Sequence, residues 1–326
     1  MNDPSALDVR HVVVDTDTGI DDALALLYLA GKAGIHISAI TSVYGNTDTE
    51  SALSNIARVL EVAQLEETLV ARGESSQIVG QAKIASYVHG NDGLGDIWSD
   101  QMIPKNLAAV DAANLLVDLG NESPGYYDLL LLGPLTNVGL ALEIDPNLLR
   151  LYRKVVIMGG SGPFPALGTV QMVDANTQND PEAARRVYGA PRANMVMVGC
   201  NVTAKTILDE RGVDILRASG TAWSQFSVAI LEAYMNFYQY AWGRRVSPVH
   251  DGLAAGLLVH PEWIRKSVTG PVNITSDGFF TRGHLLQTAE GFPVSWSTVS
   301  TPETLVVLEV NKESFMSDFI NTLSTN

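Results

Sequence analysis

Short apolar runs alternate along the chain with longer segments in which apolar residues recur every three to four positions. This alternation is typical of β–α–β units. The strands it predicts are nearly all apolar, as expected of a parallel sheet covered by helices on both faces. The runs are HVVVD at 11–15, IHISAITSVYG at 35–45, DLLLLG at 128–133, KVVIMGG at 154–160 and NMVMVG at 194–199.

The remainder of the chain predicts mainly helices from about residue 204 to 260, β-structure from 267 to about 310, and a last helix at 313–324. Since no linker or repeat interrupts residues 1–326, we predict a single α/β domain. Its mostly parallel, Rossmann-like central sheet is flanked by helices and followed by a small C-terminal β extension. Long irregular segments inside a compact domain are usually functional, and two are predicted here, at 72–96 and 159–180.

Charge narrows the choice of partner. With 21 basic and 36 acidic residues the formal net charge is −15, which argues against nucleic acid or an anionic membrane as the main partner. The single cysteine cannot form an internal disulfide, and no apolar run approaches the roughly 18 residues of a transmembrane helix. The N-terminus lacks the order of a signal peptide. We therefore expect a soluble cytoplasmic protein with a small-molecule ligand.

The sequence DTDTGIDD at 15–22 crowds four carboxylates between the first predicted strand and the first predicted helix. Capping of the helix N-terminus accounts for one or two of them. A hard divalent cation accounts for all four, because its charge offsets their mutual repulsion. The four are Asp15, Asp17, Asp21 and Asp22.

Other acid-rich or phosphate-binding motifs fit this chain less well. An EF-hand is excluded, because the fifth, sixth and twelfth positions counted from Asp15 hold Gly19, Ile20 and Leu26. Neither glycine-rich phosphate-loop pattern occurs. A haloacid-dehalogenase-type phosphatase places two aspartates after its first strand, in D-x-D-x-[TV], but Gly19 occupies the fifth position here.

The chain resembles the calcium-dependent nucleoside N-ribohydrolases of the inosine-uridine-preferring type. DTDTGIDD matches that family's signature D-x-D-x-G-x-D-D, with Thr18 where proline is usual. The similarity continues in order over nearly the whole chain. The further matching motifs are TSVYGN ending at 46, HGNDGLG at 89–95, LLGPLTNV at 131–138, VVIMGG at 155–160, DANTQNDPEAA at 174–184 and VHDGLAA at 249–255.

The resemblance implies hydrolysis of the N-glycosidic bond of ribonucleosides to ribose and free base, in purine and pyrimidine salvage, by a homodimer or homotetramer. It further implies one Ca²⁺ held by Asp17, Asp22, Asp251 and the backbone carbonyl of Leu132. Calcium activates a water and holds ribose hydroxyls, and Asp17 is the candidate general base. Asp15 would orient the ligands from behind.

The resemblance also implies which residues bind the ribose. Asp21, Asn46 and Asn176 would hydrogen-bond its hydroxyls, and Asp174 would reach towards the 5′ side. The family usually has glutamate at the position of Asp174, so contact with the 5′-hydroxyl would be shorter or pass through water. The closest counterpart of an asparagine common in the preceding loop is Thr169.

Departure of the base needs a proton or hydrogen-bond donor. His250, beside Asp251, is the first candidate, and His89 is a candidate contact to the base. Aromatic residues at i, i+4 and i+8 of one predicted helix usually belong to the core; here the resemblance assigns Tyr238 to the base pocket and offers Trp242 as a stacking partner.

Two function classes stand as alternatives to hydrolysis. One is a Mg²⁺-dependent phosphatase with Asp15 as nucleophile, which leaves the VHDG and DAN motifs unexplained. The other is a non-catalytic nucleoside or ribose-binding protein, against which the intact set of acids argues. Release of ribose from inosine or uridine discriminates among the three.

Overall fold

An eight-stranded sheet forms the centre of the protein in a computed structural model, which describes residues 9–161, 174–274, 280–281 and 302–326. The strand order is β3-β2-β1-β4-β5-β6-β12-β9. The strands are β1 (Arg10–Thr16), β2 (Ile35–Ser42), β3 (Leu69–Ala71), β4 (Tyr127–Leu131), β5 (Lys154–Met158), β6 (Met195–Val198), β7 (Ile207–Asp209), β8 (Val246–Pro248), β9 (Ile264–Gly270), β10 (Asn273–Ile274), β11 (Phe280–Thr281) and β12 (Thr304–Val310).

The first six strands are parallel, in the 3-2-1-4-5-6 order of a Rossmann-like sheet. This confirms the predicted fold class. The C-terminal β-structure is more closely joined to the sheet than the sequence suggested. β12 pairs in parallel with β6 and β9 pairs antiparallel with β12, whereas β10 and β11 form a separate two-stranded sheet.

Helices cover both faces of the sheet, as its apolar strands require. In β1, Val12 and Val14 belong to the apolar cluster on one face and Val13 to the cluster on the other, and all three are fully buried. The helices are α1 (Ile20–Ala30), α2 (Thr49–Ala63), α3 (Ser86–His89), α4 (Ala112–Glu122), α5 (Thr136–Ile144), α6 (Leu148–Leu151), α7 (Ala175–Asn179), α8 (Pro181–Gly189), α9 (Cys200–Thr203), α10 (Glu210–Ser219), α11 (Ala222–Trp242), α12 (His250–Val259) and α13 (Lys312–Thr325).

The region predicted as helices from 204 to 260 also contains the antiparallel strands β7 and β8, which pair with each other. Thr169 and most of the predicted irregular segment at 159–180 lie outside the described residues. Among the helices that the structure describes, none has the length and apolar character needed to cross a membrane.

Two partly exposed arginines pair with one buried aspartate at the amino ends of the central strands. Asp128 in β4 is fully buried and accepts hydrogen bonds from Arg10 at 2.5 Å and from Arg153 at 2.7 Å. Arg10 also donates to the carbonyl oxygen of Leu258 at 2.9 Å. These contacts join the starts of β1 and β4 to the end of α12, at the edge of the sheet opposite the carboxyl ends.

Candidate active site

A cavity of about 160 Å³ lies at the carboxyl ends of the parallel strands. β1 lies between β2 and β4 there, so chain connections leave to both sides, which is where ligands bind in sheets of this order. Most of the residues that the sequence nominated line this cavity: Asp21, Asn46, His89, Leu132, Asp174, Asn176, Tyr238, His250 and Asp251.

Three buried carboxylates from two helices meet beside this cavity; Asp21 and Asp251 line it, whereas Asp22 and Asp17 do not. Asp21 and Asp22 lie in the first turn of α1, and Asp251 lies in the first turn of α12. One oxygen from each lies within 4.8 Å of the others. Burial raises the pKa of Asp251 well above its usual value, and repulsion from Asp21 and Asp22 raises it further. A cation would relieve both effects.

Asp17 joins this group through Asn46. The backbone N–H of Asn46 donates to Asp17 Oδ2 at 2.7 Å, and Asn46 Nδ2 donates to Asp17 Oδ1 at 3.2 Å and to Asp22 Oδ2 at 2.8 Å. Burial and then the charge of Asp22 raise the pKa of Asp17 well above its usual value. The three acids whose oxygens lie within 4.8 Å of one another include Asp21, which the family resemblance assigned to the ribose. They do not include Asp17, which the resemblance assigned to the metal.

Asp15 lies behind these acids and is fully buried. Its Oδ2 accepts hydrogen bonds from Thr41 Oγ1 at 2.6 Å and from Asn137 Nδ2 at 2.7 Å. Burial raises its pKa to about 7. Because Asp15 is held by side chains of β2 and α5 and does not line the cavity, its position suits support of its neighbours rather than contact with a ligand.

Asp174 and Asn176, from the start of α7, form another part of the cavity wall. Asp174 caps this helix by accepting the N–H of Thr177 at 2.7 Å, and burial raises its pKa. Asn176 Nδ2 donates to the carbonyl oxygen of Leu132 at 2.5 Å. Leu132, the predicted carbonyl ligand of the metal, and Asn176, a predicted ribose contact, are therefore in direct contact.

Both nominated histidines are buried and uncharged near neutral pH. His89 Nδ1 accepts the backbone N–H of Ile20 at 3.1 Å, which leaves the ring proton on Nε2. Burial lowers the pKa of His89 to about 3. His250 Nδ1 lies 2.7 Å from Thr203 Oγ1, and burial lowers its pKa to about 4.

Aromatic rings complete the wall beside the histidines. Tyr234 and Tyr238 of α11 line the cavity with their ring centroids 5.0 Å apart, and the ring of Tyr234 lies 5.2 Å from that of His89. The ring centroids of Trp242 and Tyr238 lie 4.5 Å apart, but Trp242 is not among the described residues that line the cavity.

Similarity to known proteins identifies the family of this chain. The family described as inosine-uridine preferring nucleoside hydrolase matches residues 12–317. The chain belongs to this family. It is 32% identical to a probable uridine nucleosidase of Oryza sativa subsp. japonica, over 84% of this chain and 81% of that protein. It is 30% identical to the inosine-uridine preferring nucleoside hydrolase of Leishmania major, over 84% and 86%.

A solved structure of a plant nucleoside hydrolase has the same fold. It superposes with a TM-score of 0.88 at 28% identity, covering 97% of this chain and 99% of that one. The predicted family, fold class and enzyme class, an N-glycosyl hydrolase, are therefore confirmed, and the phosphatase alternative is set aside. Nucleoside hydrolases are metal-dependent, and the cluster of Asp21, Asp22 and Asp251 meets that requirement for acidic ligands.

Sequence reasoning missed several residues that line the cavity of this nucleoside hydrolase. Met158 ends β5, and Cys200 begins α9 two residues after the end of β6, so both stand at the sheet edge where ligands bind. Tyr87 lines the cavity although its side chain is 76% exposed. The placement of Met158 and Cys200 at strand ends was a usable signal; the side-chain contacts of Tyr87 were not visible in the sequence.

Proposed function

We propose that this nucleoside hydrolase cleaves ribonucleosides of the inosine and uridine type to ribose and free base. The observation that carries the proposal is the buried acid cluster at one side of the cavity, with histidine and tyrosine side chains at another. The acid side suits ribose hydroxyls and a metal, and the aromatic side suits a planar base. The names of the rice and Leishmania relatives support uridine and inosine as substrates.

The residues present fit a hard divalent cation, which we propose to be Ca²⁺. The available donors are carboxylate and carbonyl oxygens, the ligands that calcium prefers. Asp21 Oδ1 is buried without a hydrogen-bond partner among the described residues. Asp17, Asp22, Asp251 and the carbonyl of Leu132 would hold the ion. When bound, it supplies Lewis-acid chemistry that makes water a better nucleophile near neutral pH.

The acids and amides of the chain bind the sugar and take up a proton. Asp17 accepts the proton of the attacking water, since burial and neighbouring acids raise its affinity for protons. Asp21, Asn46 and Asn176 hydrogen-bond the ribose hydroxyls, and Asp174 faces the 5′ side. The negative charge of this cluster stabilises the positive charge that develops on the ribose as the bond to the base breaks.

His250 and His89 serve the base. Because burial keeps both imidazoles neutral, each acts as a hydrogen-bond donor to the departing base. His250 Nε2 lies 3.4 Å from the hydroxyl oxygen of Tyr238, so both groups can hydrogen-bond to the same atom of the base. Tyr238 lines the part of the cavity proposed for the base. Trp242 packs against the ring of Tyr238 from outside the described cavity wall, and we propose it as a stacking partner of the base.

We further propose that the enzyme acts in the cytoplasm, in purine and pyrimidine salvage, as a homodimer or homotetramer. The family supports the reaction and the assembly, and the single cysteine, Cys200, supports the cytoplasmic setting. Sedimentation velocity of the purified protein tests the assembly, and a purely monomeric species at micromolar concentration would exclude it.

Release of ribose from inosine, uridine, adenosine and cytidine tests the reaction. The wild-type protein with Ca²⁺ should produce reducing sugar from inosine and uridine, and Asp17→Ala should abolish it. Asp111→Ala, which removes an exposed carboxylate that caps α4, is the matched control and should retain full activity. Tight nucleoside binding without ribose release would instead favour a binding protein.

A further inference from the structure

Residues 74–85 form a surface segment without a helix or strand that leads directly into α3. Ala85 at its end, and Tyr87 and His89 just beyond, all line the cavity. A segment of this kind has no repeating hydrogen bonds of its own to fix its place. We call the cavity wall formed by Ala85, Tyr87 and His89 the His89 wall. Ala85 and His89 are bonded directly to Gly45 and Ile20, and the contacts that residues 74–85 make with the body of the protein supply the remaining support.

Three buried polar side chains accept hydrogen bonds from the backbone of this segment. We call Asn137, Asn179 and Asp180 the anchor side chains; their exposed fractions are 0%, 4% and 1%. The bonds are Glu74 N to Asn137 Oδ1 at 2.9 Å, Ile78 N to Asp180 Oδ2 at 2.9 Å and Lys83 N to Asn179 Oδ1 at 3.0 Å.

Two of the anchor side chains belong to the chain segment that forms the sugar side of the cavity. Asn179 ends α7, the helix that also carries Asn176 and is capped by Asp174. Asn176 lines the cavity while Asn179 binds the N–H of Lys83. A shift of α7 therefore reaches the segment before His89 through a direct hydrogen bond.

Helix capping accounts for only part of this arrangement. Asp180 Oδ1 caps α8 by accepting the N–H of Ala183 at 2.9 Å. Its other oxygen accepts from Ile78 N and from Thr136 Oγ1 at 2.8 Å, neither of which belongs to α8. Capping needs one oxygen, so the second oxygen of Asp180 has a separate role.

We infer that Asn179 and Asp180 are positioning residues that couple the sugar side of the cavity to the His89 wall. The inference rests on the proposed function for its effect on catalysis. With Asp174 and Asn176 engaged by ribose, α7 is held in place, and Asn179 and Asp180 transmit that order to residues 74–85. His89, which ends the same stretch, is thereby held at the distance from the sugar that the reaction requires.

Amide hydrogen exchange of residues 74–89, measured with and without ribose, tests the coupling together with steady-state kinetics. Asn179→Ala removes the acceptor of Lys83 N, and Asn179→Asp keeps an oxygen there. Asp180→Asn keeps an oxygen that can cap α8 while replacing one acceptor by a donor. We expect Asn179→Ala and Asp180→Asn to raise exchange and to lower kcat/KM about tenfold or more, and Asn179→Asp to stay within about threefold of wild type.

The outcomes separate the coupling from the proposed function. Exchange of residues 74–89 that is unchanged in both Asn179→Ala and Asp180→Asn overturns the inference, as does faster exchange with unchanged kcat/KM. Protection by ribose that is present in the wild type and lost in folded Asn179→Ala supports it. Absence of ribose release by the wild type refutes the proposed function alone, because exchange without ligand still decides whether the anchor side chains hold the segment. Should Asn179→Ala not fold, Asp180→Asn decides.

Discussion

Gly45 lies so close to the carboxylate of Asp17 that a Cβ at position 45 would stand 2.1 Å from Asp17 Oδ2. This close approach lets the next residue, Asn46, donate its backbone N–H to the same oxygen at 2.7 Å. Asn46 also donates its side-chain amide to Asp17 and Asp22. The absence of a side chain at Gly45 is thus a requirement of the acid cluster.

Gly45→Ala should lower kcat by about a hundredfold, because an added Cβ displaces Asp17 from its position by roughly an ångström. Ribose release under saturating uridine measures the effect. Gly189→Ala is the control, since a Cβ there meets nothing within 4 Å. Equal activity of the two variants would show that Asp17 tolerates displacement and would remove it as the candidate base.

Asp251→Asn should weaken calcium binding while leaving the fold intact. The substitution removes one negative charge from the cluster of Asp21, Asp22 and Asp251. Because a ligand that binds the folded state raises Tm, the rise in Tm caused by Ca²⁺ measures the loss of affinity. Exhaustive chelation of the wild type should abolish activity, and Ca²⁺ should restore it. An undiminished calcium-induced shift in Asp251→Asn would contradict the assignment.

Calcium affinity should rise with pH between about 6 and 8. Burial, followed by repulsion from Asp22, raises the pKa of Asp21 to about 8. Below that pH the metal-free protein therefore holds a proton on Asp21, and a cation bound by the neighbouring Asp22 and Asp251 favours its release. Calorimetry in buffers of different ionisation enthalpy measures the released protons. Binding that is independent of pH over this range would contradict the prediction.

Metal-free protein should become less stable as pH rises from about 4 to 7. The native pKa of Asp15 is about 7, raised by burial from an ordinary value of 3.8, so the folded state binds more protons than the unfolded state in this window. Stability therefore falls as pH rises through it. Urea unfolding at successive pH values checks the sign, with Asp15→Asn expected to reduce the slope by the contribution of this one group.

Asp128→Ala should destabilise the fold by about 3 kcal/mol, because removal of the buried partner leaves Arg10 and Arg153 without their shared carboxylate. The cluster lies at the amino ends of the strands, away from the cavity, so kcat at a temperature where the variant is folded should be unchanged. Chemical denaturation and ribose release measure the two effects. A large fall in kcat without loss of stability would contradict this separation.

Much of the architecture was present in the sequence, because apolar alternation reports local periodicity and burial. The runs around Val12, Leu129 and Val155 predicted parallel strands, and the helical segments between them predicted β–α–β connections. The order of the strands in the sheet came from the structure. The sequence also brought Asp15, Asp17, Asp21 and Asp22 together, since they are neighbours along the chain. The motif around Asp251 entered through resemblance to the family.

Contacts between distant segments were decided only by the tertiary structure, because they depend on how helices and loops pack above the sheet. Asp251 meets Asp21 and Asp22 across two helix N-termini, and the side-chain amide of Asn46 links Asp17 to Asp22. Asn179, which the sequence offered only as one residue of the motif at 174–184, accepts a hydrogen bond from the segment that leads to His89. Local pattern fixed which residues could carry charge and where strands end; packing decided which atoms face each other, and therefore which chemistry they can perform.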